Sequence, residues 1–578
     1  MLHNRLVVAT VDTLSTTSDL GIKLLSGAFF AGLLFMNLSL ITRSEDYARP
    51  TEYFLLASVL CAVLAVEMFM ASKNFDVVLC LFQTIALNVS LSWAYMAIFP
   101  EMTGIDTWWV KELTEAIVRQ GFVPAGYSYS SFPLMHILIG EVSILSTLQF
   151  PLVSAVATGL PYELVLLLVF WITRDLYNLR TGLIAALLLS VSEIFVQSAM
   201  WQRPATLAGL YVLLVIWILH KGGGVKQSKW PVLTVLFASV TVLTHTITSV
   251  ILVVILFVLW VTRGRSASTN TRTEKASVSI RVPASLWIFC TVATLGWWMY
   301  VSTTLNALPE LIRSGFDIQR WTVSVLRQGY SGGTLETILN GFGFNFLYFL
   351  IVLGIFISFS RQLLIGRRRQ FALTGVVLLS STFGGFILGY SGVAPFRWLT
   401  VSTPILCIFA GLGLTGASGI PRGKHITRSI FAAGLIVVLA FSSITSPTVN
   451  IDRSFYSQNT LVRFGFTSSE LVAAGFLRGH TNSTGTDTYY AWYFDGYTTI
   501  FGSKSDITPQ ILSGNPTSPI VILRHVVIEG PFWVGTRVTL GSQLMKRLEP
   551  YNLVYNSYVV EGYARPVPFL LNATYASG

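Results

Sequence analysis

The sequence predicts an all-α polytopic membrane domain followed by a small α/β domain on the far side of the membrane, and three observations predict it. Hydrophobic residues make up 53% of the 578 positions and charged residues only 11%, where soluble domains carry about a quarter charged residues. Apolar runs of about twenty residues, the length of a helix across the hydrocarbon core, recur along the chain. They stop near Ser446, and the remainder is of mixed composition and long enough for one further domain.

The runs are taken in order. Those at 20–42, 53–72 and 76–99 are each long enough to cross, and the first has no small-residue cleavage site, so it reads as a retained span. A polar, aromatic loop follows at 100–131. Further spans fall near 181–196, 205–219, 284–304, 342–360, 371–390, 398–418 and 429–446. The segment 230–262 is too long for one crossing and has basic residues on both flanks, so it reads as a short helical hairpin turning at Thr244-His245-Thr246. Residues 132–173 read as two helices broken at Gln149-Phe150-Pro151, one of them interfacial or re-entrant. About thirteen spans result. The membrane part is assigned to 1–446, with loops at 100–131 and 305–340, and the second domain to 447–578. In that second domain Thr467-Ser-Ser-Glu470 has the spacing of a capping box, and Ile520–Val527 reads as a buried strand.

Orientation follows from Lys and Arg in short loops. The segments 221–229, 263–281, 361–369 and 422–428 are the most basic and are assigned to the cytoplasm. Alternation then places 197–204, the turn at His245, 305–340, 391–397 and the C-terminal domain outside. The net charge of +11 is thereby accounted for by topology, and no continuous basic surface points to nucleic acid. The four cysteines lie in apolar runs without metal-ligand or disulfide spacing.

Ionisable residues at the outer rim are the candidates for chemistry. Asp106 follows Gly104 at the start of an amphipathic stretch in which Trp109, Leu113, Ala116 and Ile117 share a face. It can serve as a helix N-cap or, with Glu101 as an understudy, as a general base where membrane meets water. Arg203 in Trp201-Gln-Arg203-Pro204, and Arg397, sit at outer ends of spans, either as headgroup anchors or as forks that grip a phosphate. His245 lies at the hairpin turn, where capping is the plain alternative, and His136 one turn inside a helix. The loop 305–340, with Arg313, Arg320, Trp321, Arg327 and Gly329-Tyr-Ser-Gly-Gly333, has the make-up of a hinged cover or of an interfacial linker. Asn482-Ser-Thr484 and Asn572-Ala-Thr574 are glycosylation triplets.

Several of these motifs occur together in a known order. A Gly-x-Asp after an early span precedes an interfacial helix and Gly121-x-x-Pro124. Tyr127-x-Tyr129-x-x-Phe132-Pro133-x-x-His136, Leu243-Thr-His245-Thr-Ile-Thr248 and Ala394-Pro-Phe-Arg397-Trp-Leu follow. This series resembles the membrane glycosyltransferases of the GT-C fold, which include oligosaccharyltransferase catalytic subunits and protein mannosyltransferase-like enzymes. The resemblance implies a GT-C-like bundle and a polyprenyl-phosphate-linked (dolichol-type) sugar donor. It also implies a glycan, lipid or protein acceptor on the outer side, in a prokaryotic cell membrane rather than the endoplasmic reticulum. Asp106 and Glu101 are then the candidate catalytic acids, and Arg203, His245, Arg397, His136 and Tyr129 the candidate donor-binding residues. Relatives often carry a histidine four residues after the aspartate, where this chain has Val110; a divalent metal is therefore left open. Two other readings remain: a transporter or flippase of lipid-linked glycans, for which no repeated halves are visible, and a membrane scaffold whose C-terminal domain binds a partner.

Overall fold

The computed structural model describes residues 2–42, 47–127, 129–222, 229–262, 279–302, 304–306, 334–360, 366–387, 393–419, 425–450, 463, 465–480, 484–487, 490–491, 510, 518–529, 532–533, 537–538, 545–546, 548–549, 551–557 and 559–565. It is a helical bundle with a small sheet at its C-terminal end. Among the described residues seven helices are long and apolar enough to cross a membrane: Leu20–Ile41, Thr51–Met70, Asn74–Ser92, Phe150–Leu176, Pro204–Gly222, Ile338–Phe359 and Arg397–Ala417. An eighth is the bent pair Leu179–Ser190 and Glu193–Met200, whose halves meet at 59°. The thirteen crossings expected from hydropathy are thus not all full-length helices. The hairpin Lys229–Thr244 and Thr246–Val261 is built of two short helices that meet at His245, as its flanking charges required.

Local chemistry sets these ends. Asn178 accepts from the Thr181 amide at 2.9 Å and opens the helix Leu179–Ser190. The Asp76 carboxylate turns back to accept from the amides of Lys73 at 3.0 Å and Ser72 at 3.2 Å ahead of Asn74–Ser92. Ser192 breaks the next helix, and the bend directs Glu193–Met200 toward the rim that carries Trp201, Gln202 and Arg203.

The stretch 132–173 resolves into the helix Leu134–Ser146, a break at 147–149, and the long helix that begins at Phe150. The first of these packs beside the loop helix Ile105–Gln120, with Gly140 against Val118 and Thr114. Phe150 touches both the bundle core and the outer cluster around Met102 and Trp108. The break therefore lies at the same end as the 100–131 loop, and only Phe150–Leu176 is long enough to cross.

The C-terminal elements form a four-stranded sheet in the order β1 (Thr484–Gly485), β2 (Ile520–Arg524), β6 (Val560–Ala564) and β5 (Asn552–Asn556). Between them, β3 (Phe532–Trp533) pairs with β4 (Arg537–Val538). β1 runs parallel to β2, and the other pairs are antiparallel. The strand expected over 520–527 ends at Arg524, where the chain turns into the short helix His525–Glu529. The capping box forms as its spacing dictates: the Thr467 amide donates to Glu470 at 2.8 Å and the Glu470 amide to the Thr467 hydroxyl at 3.2 Å. Asn482 and Ser483 of the first glycosylation triplet, the whole of the second, and most of 305–340 lie outside the described residues.

A single crossing between the two ends of 132–173 fixes a labelling pattern. Phe122 is exposed on the loop side and Arg174 on the other. In intact cells a cysteine at Phe122 should react with an impermeant thiol reagent, whereas one at Arg174 should react only after permeabilisation. Equal labelling of both would require a second crossing.

Candidate active site

The loop between the third span and the helix Ile105–Gln120 turns at Gly104, whose φ of +83° favours glycine. Gly104 occupies the N-cap position and Asp106 lies in the first helical turn, so Asp106 is not the cap. The carboxylate meets Arg203, with Oδ2 3.0 Å from Nε and both side chains mostly buried, at 18% and 15% exposure. The approach lacks hydrogen-bond geometry at Nε, so the contact is an ion pair without directional bonding. The guanidinium also lies over the Trp201 ring, 4.4 Å from its centroid.

The other candidates gather on this pair. Arg203 interacts electrostatically with Asp106, Tyr129 and Arg397. His245 feels Arg397 and Arg203. Burial holds the Tyr129 phenol above its usual range, the Asp106 carboxylate adds to this, and Arg397 and Arg203 oppose it. Tyr129 is therefore a neutral hydroxyl at working pH. His136, fully buried, faces the Tyr129 ring at 5.6 Å, with the Val110 backbone as a hydrogen-bonding neighbour. His245 also caps a helix: Nδ1 accepts from the Thr248 amide at 3.3 Å and lies 2.8 Å from the Thr248 hydroxyl. Capping and site membership coexist there because the cap uses one ring nitrogen.

Glu101 stands apart. Its carboxylate pairs with Lys111 at 3.1 Å, and Lys111 lies over the Trp108 ring. No three His, Cys, Asp or Glu side chains cluster as metal ligands among the described residues. The cation beside Asp106 is a guanidinium, and Val110, one helical turn further along, is fully buried and offers no ligand atom. This donor set does not fit a divalent ion.

The loop helix is backed by the C-terminal elements, a contact that residue spacing does not reveal. Met102 and Trp108 share a core cluster with Phe466, Ala473, Ala474, Leu477, Tyr490, Ile522 and Val560. Gly465 lies flat on Phe99, and an added Cβ would come within 2.5 Å of that ring. Behind Phe466 sits Arg524, wholly buried, its guanidinium 2.8 and 3.1 Å from Asp487 and 3.9 Å from Glu470, and over the rings of Phe466 and Tyr490. Burial opposes its charge, but Asp487 and Glu470 outweigh burial and hold its pKa above the ordinary arginine value. Arg463 pairs with Glu470 from the other side. Arg49 ties the preceding linker to the bundle through Val449 O at 2.9 Å and Asn450 Oδ1 at 3.0 Å.

Removing one partner from such a network leaves buried charge uncompensated, at about 3–5 kcal/mol. Arg524→Leu should therefore lower the melting temperature of the purified chain and open the helix Ser468–His480 to limited proteolysis. Unchanged melting and digestion would mean that the network does not hold the loop helix.

No family model matches the chain, and no curated protein sequence does. Solved structures are similar to it at low identity. The archaeal oligosaccharyltransferase AglB from Archaeoglobus fulgidus, in complex with an inhibitory peptide and a dolichol-phosphate, is 12% identical over 85% of this chain and 74% of that one, with a TM-score of 0.48. The Archaeoglobus fulgidus oligosaccharyltransferase in the apo form is 14% identical over 75% of this chain, with a TM-score of 0.46, and this chain spans 61% of its length. ArnT from Cupriavidus metallidurans, bound to undecaprenyl phosphate, is 12% identical over 86% of this chain and 99% of that one, with a TM-score of 0.46.

Proposed function

We propose that the chain is a membrane glycosyltransferase that moves a sugar from a polyprenyl-phosphate donor to a glycan, lipid or protein acceptor on the outer face of a prokaryotic cell membrane. The C-terminal elements would lie on that same face. The observation that carries the reading is the Asp106–Arg203 pair at 3.0 Å, with Tyr129, Arg397 and His245 within electrostatic reach of Arg203. One carboxylate set among cations is what transfer from a lipid phosphate requires. The bond between the anomeric carbon and the phosphate oxygen breaks, and the lipid phosphate leaves with the electron pair. A bond from the acceptor heteroatom to the anomeric carbon forms, and the acceptor proton passes to the Asp106 carboxylate.

In this reading Arg203 and Arg397 hold the departing phosphate, Arg203 by the planar fork that matches phosphate oxygens. Tyr129, kept neutral, donates a hydrogen bond to the sugar or its phosphate. His136 stands behind Tyr129 and orients it. Glu101, tied to Lys111, steadies the start of the loop helix and takes no proton. A second reading, movement of lipid-linked glycans across the membrane, is favoured by buried carboxyls within the helices. Glu67, Glu163 and Glu193 are such groups, and the Glu163 oxygens have no hydrogen-bond partner.

Asp106→Asn separates these readings. Asparagine keeps the shape of the side chain and cannot take a proton, so turnover of a polyprenyl-phosphate sugar should fall by about a hundredfold or more while the protein still folds. Glu101→Gln should cost less. Transfer by Asp106→Asn at the wild-type rate would remove Asp106 from the chemistry. Glycan movement across vesicles without any transfer, lost in Glu163→Gln, would favour the second reading.

A further inference from the structure

Trp201 is in contact with both halves of the candidate catalytic pair. Its indole lies against the backbone of Gly104, where an added Cβ would stand 3.0 Å from Cε2 and 3.1 Å from Cδ2 and Nε1. Arg203 also lies over the Trp201 ring, 4.4 Å from its centroid. Gly104 is two residues ahead of Asp106, and Trp201 two residues ahead of Arg203. One aromatic plate thus fixes the separation of two chain segments whose charged residues meet at 3.0 Å.

The turn that presents the plate is itself held at each residue. The Trp201 amide donates to Gln197 O at 2.9 Å. Gln202, fully buried, donates through Nε2 to Ala199 O at 3.1 Å and to the Tyr95 hydroxyl at 3.4 Å. The Arg203 carbonyl accepts from the Thr206 amide at 2.9 Å, and Pro204 restricts the backbone of Arg203. With the backbone fixed in this way, the remaining freedom of Arg203 lies in its side chain. The ring face limits that freedom by attracting the cation.

We infer that Trp201 is a positioning residue, which holds the Arg203 guanidinium in the orientation where it meets Asp106 and, when donor binds, the lipid phosphate. This rests on the proposed phosphate role of Arg203. Trp201 takes no part in bond making or breaking. Its contribution is to hold in place a long side chain that would otherwise sample many rotamers, and so to strengthen donor binding. Gly104 is the counterpart on the other segment, since any side chain there would push the plate away from the loop.

The test uses the full chain in lipid nanodiscs and undecaprenyl phosphate as the probe. Fluorinated tryptophans, introduced at position 201 alone, keep the shape of the ring and withdraw electron density from its face. Across a series of one to four fluorines the dissociation constant for undecaprenyl phosphate should rise stepwise, by roughly threefold to tenfold in total. Trp201→Phe should fall within the series and Trp201→Leu at or beyond its end, with melting temperatures of the fluorinated proteins unchanged. A flat fluorine series, with Arg203→Ala losing affinity, would overturn the positioning role and leave the phosphate site standing. If Arg203→Ala binds the probe as the wild type does, the phosphate role and the positioning role both fall.

Discussion

Within hydrocarbon a helix cannot end unless its orphan amides and carbonyls find partners inside the protein, and the arrangement of this chain depends on that constraint. Helix ends and breaks cluster where one face of the bundle meets the loop 100–131: at Gly104, at 147–149, at Trp201-Gln202-Arg203 and at His245. The last two are met by nearby protein groups. His245 meets the Thr248 amide, Gln202 meets Ala199 O, and Thr206 meets Arg203 O. Charged and polar side chains sit at these breaks, where backbone needs and side-chain needs can be met together. Asp106, Arg203 and His245 converge because the helices that carry them all end there.

The second constraint is the burial of charge. Arg524 is among the largest fully buried side chains, and it is tolerable only because Asp487 and Glu470 surround it. A buried network of this kind adds little net stability over apolar packing, but it admits few alternative arrangements. Here it stands behind Phe466, whose ring packs at a tilt on Tyr490 and on Trp108 of the loop helix. The order of these contacts, from Arg524 through Phe466 and Trp108 to the turn that holds Asp106, gives the small sheet a part in shaping the membrane-edge site.

Much of this was legible in the sequence, and what was not has a physical reason. Periodicity and loop charge are local, so the hairpin at His245, the break near Phe150 and the capping box at Thr467 could be read from spacing alone. Span number could not be read, because hydropathy measures composition and does not separate a full crossing from the short helices Leu134–Ser146 or Thr246–Val261. Asp106 and Arg203 were each visible as rim residues, yet their pairing joins positions almost a hundred apart in sequence. Gly104 and Trp201 carried a signal, a glycine before an acid and a tryptophan before an arginine, but only the fold shows one lying on the other. The contact of Phe466 with Trp108 left no local trace.

The Asp106–Arg203 pair also bears on the order of events. While the Arg203 guanidinium lies 3.0 Å from Oδ2, that carboxylate oxygen is already engaged and is not open to an acceptor. A lipid phosphate arriving at the rim offers Arg203 an anion of higher charge and a bidentate match. The guanidinium then has reason to turn on the Trp201 ring toward phosphate, and the carboxylate is released toward the acceptor. Under the proposed function, donor binding would thus open the Asp106 carboxylate to the acceptor only once a leaving group is in place, and Arg397, which acts electrostatically on Arg203, would add to the hold on the phosphate. On the proposed function, the ion pair of the free protein restrains the carboxylate assigned as the base, and the donor that would remove the restraint is the one whose phosphate must depart.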